Sequence, residues 1–214
     1  MKKIVIATVA AALIVTSNAV AQRPAAVAEF DVAGVKLGMT HDEVVTALEE
    51  KAFSIRSTSE QKDWDARLSD EMERRGYQGN SEGRIVGMIR AKGPQDESID
   101  VWYAATPEGA RVASVSYSAK PDRITRDAFL AGLKSKYGDA TTDNGARKIY
   151  CTIGEEKCTP LFGSDQLPNL RVQMDSALLY SIDLSEGREA KSRRRAEFTT
   201  ALESLAPKSS QTTF

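Results

Sequence analysis

The chain is poor in the residues on which most enzymes and metal sites depend. Its 214 residues include one histidine, His41, and two cysteines, Cys151 and Cys158. A Ser-His-Asp or Cys-His arrangement could therefore be built only around His41, which the sequence places as an exposed residue in the first turn of a helix. A zinc site would need ligands drawn almost entirely from carboxylates. The G-x-S-x-G pattern occurs once, over residues 79–83, but it lies in a loop after a predicted helix and not at the strand-to-helix turn of a nucleophile elbow. No phosphate-binding glycine loop is present. We expect no catalytic, cofactor-binding or metal-binding residues.

The chain has one long apolar run, and it lies at the start. Lys2 and Lys3 precede an uncharged, mostly apolar stretch over residues 4–15, and small residues follow up to Ala21. The stretch has about 12 residues, against roughly 20 needed to cross a bilayer. This pattern predicts a signal peptide over residues 1–21, cleaved after Ala21, and a periplasmic or secreted protein. An uncleaved membrane anchor is the alternative. Because no cysteine follows the run, attachment of lipid to a mature N-terminal cysteine is excluded.

The chain also lacks an excess of charge of either sign. It carries 29 basic and 30 acidic residues, a formal net charge of −1. Loss of Lys2 and Lys3 with the leader leaves 27 basic residues against 30 acidic ones. Nucleic-acid binders show a clear basic excess, so we expect no nucleic-acid partner. No other run is long enough to predict a membrane span after signal cleavage.

The two cysteines are candidates for a disulfide bond. Cys151 and Cys158 flank Gly154 in a segment that resembles a hairpin over residues 147–158. In an oxidising compartment such a pair indicates a structural disulfide. The alternative is a redox or metal site, although redox pairs usually have the tighter C-x-x-C spacing. A bridge over so short a loop would stabilise the fold by about 2–3 kcal/mol.

Alternating and helical patterns predict an α+β fold, an antiparallel sheet with helices packed on one face. Thr40 and Glu43 form a capping box that begins one helix, and Thr125 and Gly138 bound another over residues 126–137. Further helices are predicted over residues 59–75 and 186–205, with Phe198, Leu202 and Leu205 forming the apolar stripe of the last one. Strands are predicted over residues 53–56, 84–91, 98–104, 111–118, 170–174 and 178–184. We expect one domain over residues 30–206, after a flexible tether at 22–29 and before a disordered tail at 207–214.

Two helix starts resemble each other. Residues 39–48 and 124–133 align with an offset of 85, with matching threonine, aspartate and leucine positions. This suggests two repeats of a helix plus strands, over residues 30–118 and 119–206. The alternative is that any well-capped helix produces the same pattern.

The motifs at these helices carry a resemblance to known families. Residues 30–48 (FDVAGVKLGMTHDEVVTAL) resemble the G-x-x-L-G-M-T-x-x-E-V-x-x-x-L motif of small secreted bacterial proteins, including SmpA/BamE-like outer-membrane assembly proteins and related families of unknown function. The β-lactamase-inhibitor-like tandem-repeat fold is similar in plan. Residues 136–141 resemble a K-Y-G-x-P-T stretch of some of these proteins, with Ala140 in place of proline. The resemblance implies an α+β domain with a binding or envelope-assembly role and without catalytic residues.

Two groups of residues are candidates for a binding surface. Trp102 lies opposite the apolar face of its strand and is either covered by a helix or part of an exposed aromatic patch, whereas Trp64 is expected in the core. Arg188, Arg194 and Arg195 belong to a basic cluster on the last helix. That cluster is either a solvated helix face or a contact for lipid phosphates or an acidic partner.

The sequence therefore favours a soluble exported protein without catalysis that binds a protein or another envelope component, such as a cell-wall component. One alternative is a periplasmic hydrolase that uses a pair of carboxylates, because the many acidic residues offer many pairs. A second alternative is an adaptor that contacts the membrane surface through the basic helix.

Overall fold

The computed structural model describes residues 27–151, 166–175 and 179–205, which fold into helices and antiparallel sheets of an α+β protein. The described helices are α1 (His41–Glu50), α2 (Trp64–Arg74), α3 (Arg126–Tyr137) and α4 (Gly187–Leu205). The described strands are β1 (Asp31–Val32), β2 (Val35–Lys36), β3 (Ser54–Lys62), β4 (Arg84–Lys92), β5 (Ser98–Thr106), β6 (Gly109–Ala119), β7 (Thr142–Asp143), β8 (Arg147–Cys151), β9 (Asn169–Asp175) and β10 (Leu179–Ser185).

The main sheet has the strand order β3-β4-β5-β6-β10-β9-β8-β7, and every neighbouring pair is antiparallel. Its two halves follow the same chain path: α1 precedes the meander β3 to β6, and α3 precedes the meander β7 to β10. The last strands of the halves, β6 and β10, pair at the centre of the sheet. The first half carries α2 as an insertion between β3 and β4. The shared path meets one requirement of the duplication, which itself stays a prediction.

Helices α1 and α3 build the main core against one face of this sheet. α1 contributes Val44, Ala47 and Leu48, and α3 contributes Phe129, Leu133 and Tyr137. The sheet contributes the alternate apolar residues of its central strands, because successive side chains of a strand point to opposite faces. The buried strand residues of this core include Ile89, Ala91, Ile99, Val101, Tyr103, Val112, Val115, Tyr150, Leu170, Val172, Met174, Tyr180, Ile182 and Leu184.

Local capping determines where α1 and α3 begin. Thr40 Oγ1 accepts the backbone N–H of Glu43 (3.3 Å), and the Glu43 carboxylate accepts the N–H of Thr40 (2.7 Å). Thr125 Oγ1 accepts the N–H of Ala128 (3.3 Å) in the same way. Gly138, with φ of 77°, ends α3 in a backbone conformation that suits glycine. Both predicted helix starts and the predicted end of α3 are confirmed.

The predicted boundary between β3 and α2 is wrong. The helix was expected from residue 59 and the strand only to residue 56, but β3 continues to Lys62 by pairing with β4. Asp63 then caps α2, its carboxylate accepting the N–H of Ala66 at 2.7 Å. Pairing with a strand more than 20 residues away outweighs the helical spacing of the apolar residues, and the cap places the helix start at Trp64.

The N-terminal part also differs from the prediction. Val27–Glu29 form a turn of 3₁₀ helix, and Val27 is buried in the core, so the ordered chain begins before the predicted end of the tether at residue 29. Strands β1 and β2 form an unpredicted hairpin, in which Asp31 accepts the N–H of Gly34 (2.7 Å). The predicted signal peptide over residues 1–21, the rest of the tether and the C-terminal tail at 207–214 lie outside the described residues.

Helices α2 and α4 form a second, smaller apolar cluster. Trp64, Leu68 and Met72 of α2 pack with Leu202 of α4, and Phe198 and Ala201 lie against them. Leu205 is 55% exposed, so the predicted apolar stripe of α4 is wrong at that residue. Within the described part of the chain, the helices lack the length or the apolar composition needed to cross a membrane.

Candidate functional site

One face of the main sheet is not covered by the core helices. The residues of this open face share a side because residues paired across antiparallel strands point the same way. Their side chains are half-buried or exposed, and serine is the most frequent residue among them. The central positions of the open face are Ser57, Ser59, Met88, Arg90, Ser98, Asp100, Trp102, Ser114, Ser116, Ser118, Ser181, Asp183, Arg171, Gln173, Arg147 and Ile149.

Trp102 stands near the middle of the open face and is 38% exposed. Of the two alternatives for this residue, the exposed patch is therefore the observed one. The indole lies between Met88 on β4 and Ser114 on β6. The exposed part of the ring is accessible to a partner. Tryptophan is enriched in protein–protein interfaces and among their energetically dominant residues.

The charged residues of the open face have both signs. Arg90 donates two hydrogen bonds to the Asp100 carboxylate, at 2.8 and 3.1 Å, and these bonds hold the pKa of Arg90 above its ordinary value. In the same row of the sheet, Asp183 of β10 lies opposite Arg171 of β9. Because each of these anions lies opposite a cation on the neighbouring strand, the face is suited to a partner with mixed charge rather than to a polyanion.

A second candidate site is the groove between α2 and α4, with a volume of about 680 Å³. Trp64 and Phe198 form its aromatic end, with ring centroids 5.2 Å apart and an edge-to-face arrangement. The guanidinium of Arg67 lies over the Phe198 ring, 5.6 Å from its centroid. The groove is lined by Trp64, Arg67, Asp70, Glu71, Arg74, Ala104, Ala105, Lys191, Ser192, Arg194, Arg195 and Phe198.

The residues of the predicted basic cluster on α4 do not all lie on the same surface. Arg194 and Arg195 line the groove, whereas Arg188 does not. Arg194 binds the buried carboxylate of Glu186 through both terminal nitrogens, which attaches α4 to the chain that leaves β10. Trp64 is 8% exposed, so its predicted core position is confirmed, in the smaller of the two apolar clusters.

His41 is half-buried rather than exposed, which corrects the sequence prediction. Its ring packs at an edge against Tyr103, with centroids 6.2 Å apart. His41 Nδ1 and Tyr103 Oη are both buried without a hydrogen-bond partner among the described residues. Burial, together with the negative charge of Asp42, raises the pKa of Tyr103 far above its ordinary range.

The other chemistry-bearing residues that the structure describes form no recognisable metal centre. In the described ranges, no group of three or more His, Cys, Asp or Glu residues could hold a metal ion. The carboxylates that line the groove, Asp70 and Glu71, are each bonded to a cation, Lys62 and Arg74 respectively. Cys151 is buried at the end of β8, while Cys158 lies outside the described residues, so the disulfide stays a prediction.

Sequence reasoning missed most residues of both surfaces. Arg67 and Arg74 follow Trp64 at spacings of three and ten residues, which places all three near one face of a helix, and this spacing was a usable signal. The alternation of Ser114, Ser116 and Ser118 with apolar residues likewise predicts a polar sheet face. Which strands would extend that face depended on the pairing of β6 with β10, for which the sequence holds no local signal.

Comparison with family models, with curated proteins and with solved structures finds no significant match. The function is therefore inferred from the open face and from the groove between α2 and α4.

Proposed function

We propose that this chain is an exported, non-catalytic binding protein that holds a protein of the cell envelope against the open face of its sheet. The observation that carries the proposal is the exposed indole of Trp102 on a serine-rich face without a covering core helix. An aromatic residue within a polar surface is the arrangement of an interface anchor with a solvated rim.

The size of the face supports a protein as the partner. Eight strands spaced at about 4.8 Å span roughly 35 Å, which is wide enough for a standard interface of about 800 Å² on each partner. Small serine side chains leave the backbone of the sheet accessible, and their hydroxyl groups donate and accept hydrogen bonds. The mixed charges around Asp100 and Arg171 favour a partner with complementary charges of both signs.

Export is part of the same proposal and has its own test. The leader over residues 1–21 directs the chain out of the cytoplasm, and cleavage after Ala21 leaves Gln22 as the first residue. Intact-mass measurement of the protein from the periplasmic or culture fraction should give a chain that begins at Gln22. A chain that keeps Met1 in a membrane fraction would instead support the uncleaved anchor.

The binding proposal is tested by photocrosslinking in the source organism. A photoreactive phenylalanine analogue at Trp102 or at Ser116 should form the same discrete adduct, because both positions lie on the open face. The control position is Glu49, which is exposed on α1, on the opposite side of the molecule. An adduct that forms equally at Glu49, or the absence of a discrete adduct at both open-face positions, would contradict the proposal.

A substitution test complements the crosslinking. Trp102→Ser should abolish capture of the crosslinked partner by the purified protein, and circular dichroism should show that the variant is folded, since Trp102 is not part of the buried core cluster. Glu49→Ser is the matched control. If Trp102→Ser captures the partner as well as the original chain, the open face is not the binding surface.

A further inference from the structure

We propose that the groove between α2 and α4 is a binding site for a multivalent anion that carries phosphate groups. Its charged lining residues lie on α2 and α4 and not among the residues of the open face, and its test does not depend on the function proposed above. The chemistry is the same whether the phosphates belong to a soluble polyanion or to lipid headgroups, and the experiment below distinguishes these sources.

The two helices bring cations from distant parts of the sequence to one groove. Arg67 is on α2, whereas Lys191 and Arg195 are on α4, more than 120 residues later. Lys191 and Arg195 are four residues apart and therefore lie on the same side of α4. The groove thus has positive charges on both of its walls.

The acidic residues of the groove do not neutralise these cations. Asp70 is bonded to Lys62, which is not a lining residue, at 2.5 Å. Glu71 is bonded to Arg74 at 2.8 Å. Arg194, in turn, is bound by Glu186.

Three cations then remain for a ligand. Arg67, Lys191 and Arg195 form no ion pair with any residue that the structure describes. Unpaired cations that converge on one groove repel one another, and an anion bound between them relieves that repulsion.

The aromatic end of the groove positions one of these three cations. Arg67 lies over the Phe198 ring, which is itself packed against Trp64. A cation–π contact restrains the guanidinium while its N–H groups remain available, and a planar guanidinium binds two phosphate oxygens at once. The ammonium of Lys191 suits a phosphate as a point charge.

The dimensions of the groove indicate more than one phosphate group. Its volume of about 680 Å³ is that of a site for a small organic ligand and far exceeds one phosphate ion. Cations on opposite walls can contact different phosphate groups of one ligand. We therefore expect tripolyphosphate to bind more tightly than inorganic phosphate.

Titration of the full exported chain tests the site. In a Trp102→Phe background, Trp64 is the remaining tryptophan, and its fluorescence reports events at the aromatic end of the groove. Tripolyphosphate should change this fluorescence at low salt, and added salt should weaken its binding. Arg67→Gln and Arg195→Gln should each lower the affinity about tenfold, because each removes a charge-assisted hydrogen bond. Calorimetric titration provides the affinity without using fluorescence.

The control is Arg193→Gln, which makes the same charge change on the same helix outside the groove lining. It should change the affinity by about twofold or less, through long-range charge alone. Equal losses in Arg193→Gln and Arg195→Gln would overturn the proposal, since they would indicate attraction by the helix as a whole. Absence of binding to tripolyphosphate and to anionic vesicles at low salt would also overturn it. Circular dichroism verifies that each variant is folded.

Vesicles identify the source of the phosphate. Flotation with vesicles of phosphatidylglycerol, but not of phosphatidylcholine, that is lost in Arg67→Gln and retained in Arg193→Gln would assign the groove to lipid headgroups. Binding of tripolyphosphate without flotation would assign it to a soluble polyanion. Either result supports the phosphate site.

Discussion

Lys136 on α3 donates a hydrogen bond of 2.6 Å to the carboxylate of Asp31 on β1, across 105 residues of sequence. The neighbouring Tyr137 donates its hydroxyl to the backbone carbonyl of Asp31 at 2.7 Å, and its ring packs on Phe30. The N-terminal hairpin of the first half is thus attached to the helix of the second half. The halves are joined here as well as through β6 and β10.

This ion pair predicts a pH dependence of stability. Burial by itself raises the pKa of Asp31, but the hydrogen bonds from Lys136 and from the Gly34 N–H, with the charges of Lys136 and Lys36, outweigh it and lower the pKa below 3.8. A carboxylate with a lowered folded-state pKa contributes stability that is complete above its unfolded pKa and is lost as the pH falls through its folded pKa.

Asp31→Asn should therefore be less stable than the original chain at pH 7, with a difference that shrinks towards acidic pH. Urea unfolding at pH 7, 5 and 3 measures this difference. The control is Asp139→Asn, whose carboxylate is 85% exposed. A difference between Asp31→Asn and the original chain that stays constant with pH would contradict the prediction.

The contact between α2 and α4 predicts a contrast between two leucines of one helix. Leu202 is 2% exposed and packs in the α2–α4 cluster, whereas Leu205 is 55% exposed. Leu202→Ala should lower the free energy of unfolding by about 2–5 kcal/mol, because it removes buried methyl groups and leaves a cavity. Leu205→Ala should change it by about 0.5 kcal/mol or less. Chemical denaturation measures both, and equal losses would argue against the packing of α4 on α2.

The two helix caps predict similar losses at corresponding positions of the halves. Thr40→Ala and Thr125→Ala each remove the side chain that accepts the N–H at the third helical position, which should cost about 1 kcal/mol. The exposed Thr46→Ala, within α1, is the control and should be neutral or slightly stabilising. Urea unfolding measures all three. A loss in Thr46→Ala as large as in Thr40→Ala would show that capping is not the cause.

The predicted disulfide has a direct chemical test. If Cys151 and Cys158 are bonded, alkylation of the unfolded, unreduced protein should leave its mass unchanged, and two alkyl groups should be added after reduction. Cys158→Ser should lower the free energy of unfolding by about 2–3 kcal/mol through the lost loop constraint. This variant keeps the buried Cys151 in place. Alkylation of both residues without reductant would reject the bond.

Local patterns predicted most elements because each local signal was strong. The starts of α1 and α3, the end of α3 at Gly138 and the strands β4, β5 and β6 were all anticipated, and each depends on neighbours within a few residues. The errors at β3 and at Val27 share one cause: the deciding contact was with a distant segment. Residues 59–62 pair with β4, and Val27 packs in the core. Leu205, the last residue of α4, remains 55% exposed.

The candidate surfaces were predicted only in part. Trp102, Arg194 and Arg195 were recognised as individual residues from their position on a strand or a helix. Their surroundings were not predicted. The serines of β6 and β10 come together through strand pairing, and Arg67 lines the same groove as Lys191 and Arg195 because α2 packs against α4. Likewise, only the arrangement of the helices decided whether Trp102 is exposed or covered by a helix.

The sequence alone determined the α+β class, the main periodicities and the helix caps, since alternation along a strand and a capping side chain are properties of adjacent residues. It also limited the chemistry, because one histidine and two cysteines allow few catalytic or metal centres. Only the tertiary structure decided that β6 pairs with β10, that one sheet face stays open around Trp102, and that α2 and α4 enclose a cationic groove. These features depend on contacts between segments far apart in the chain, whose free energies are set by packing and charge in three dimensions.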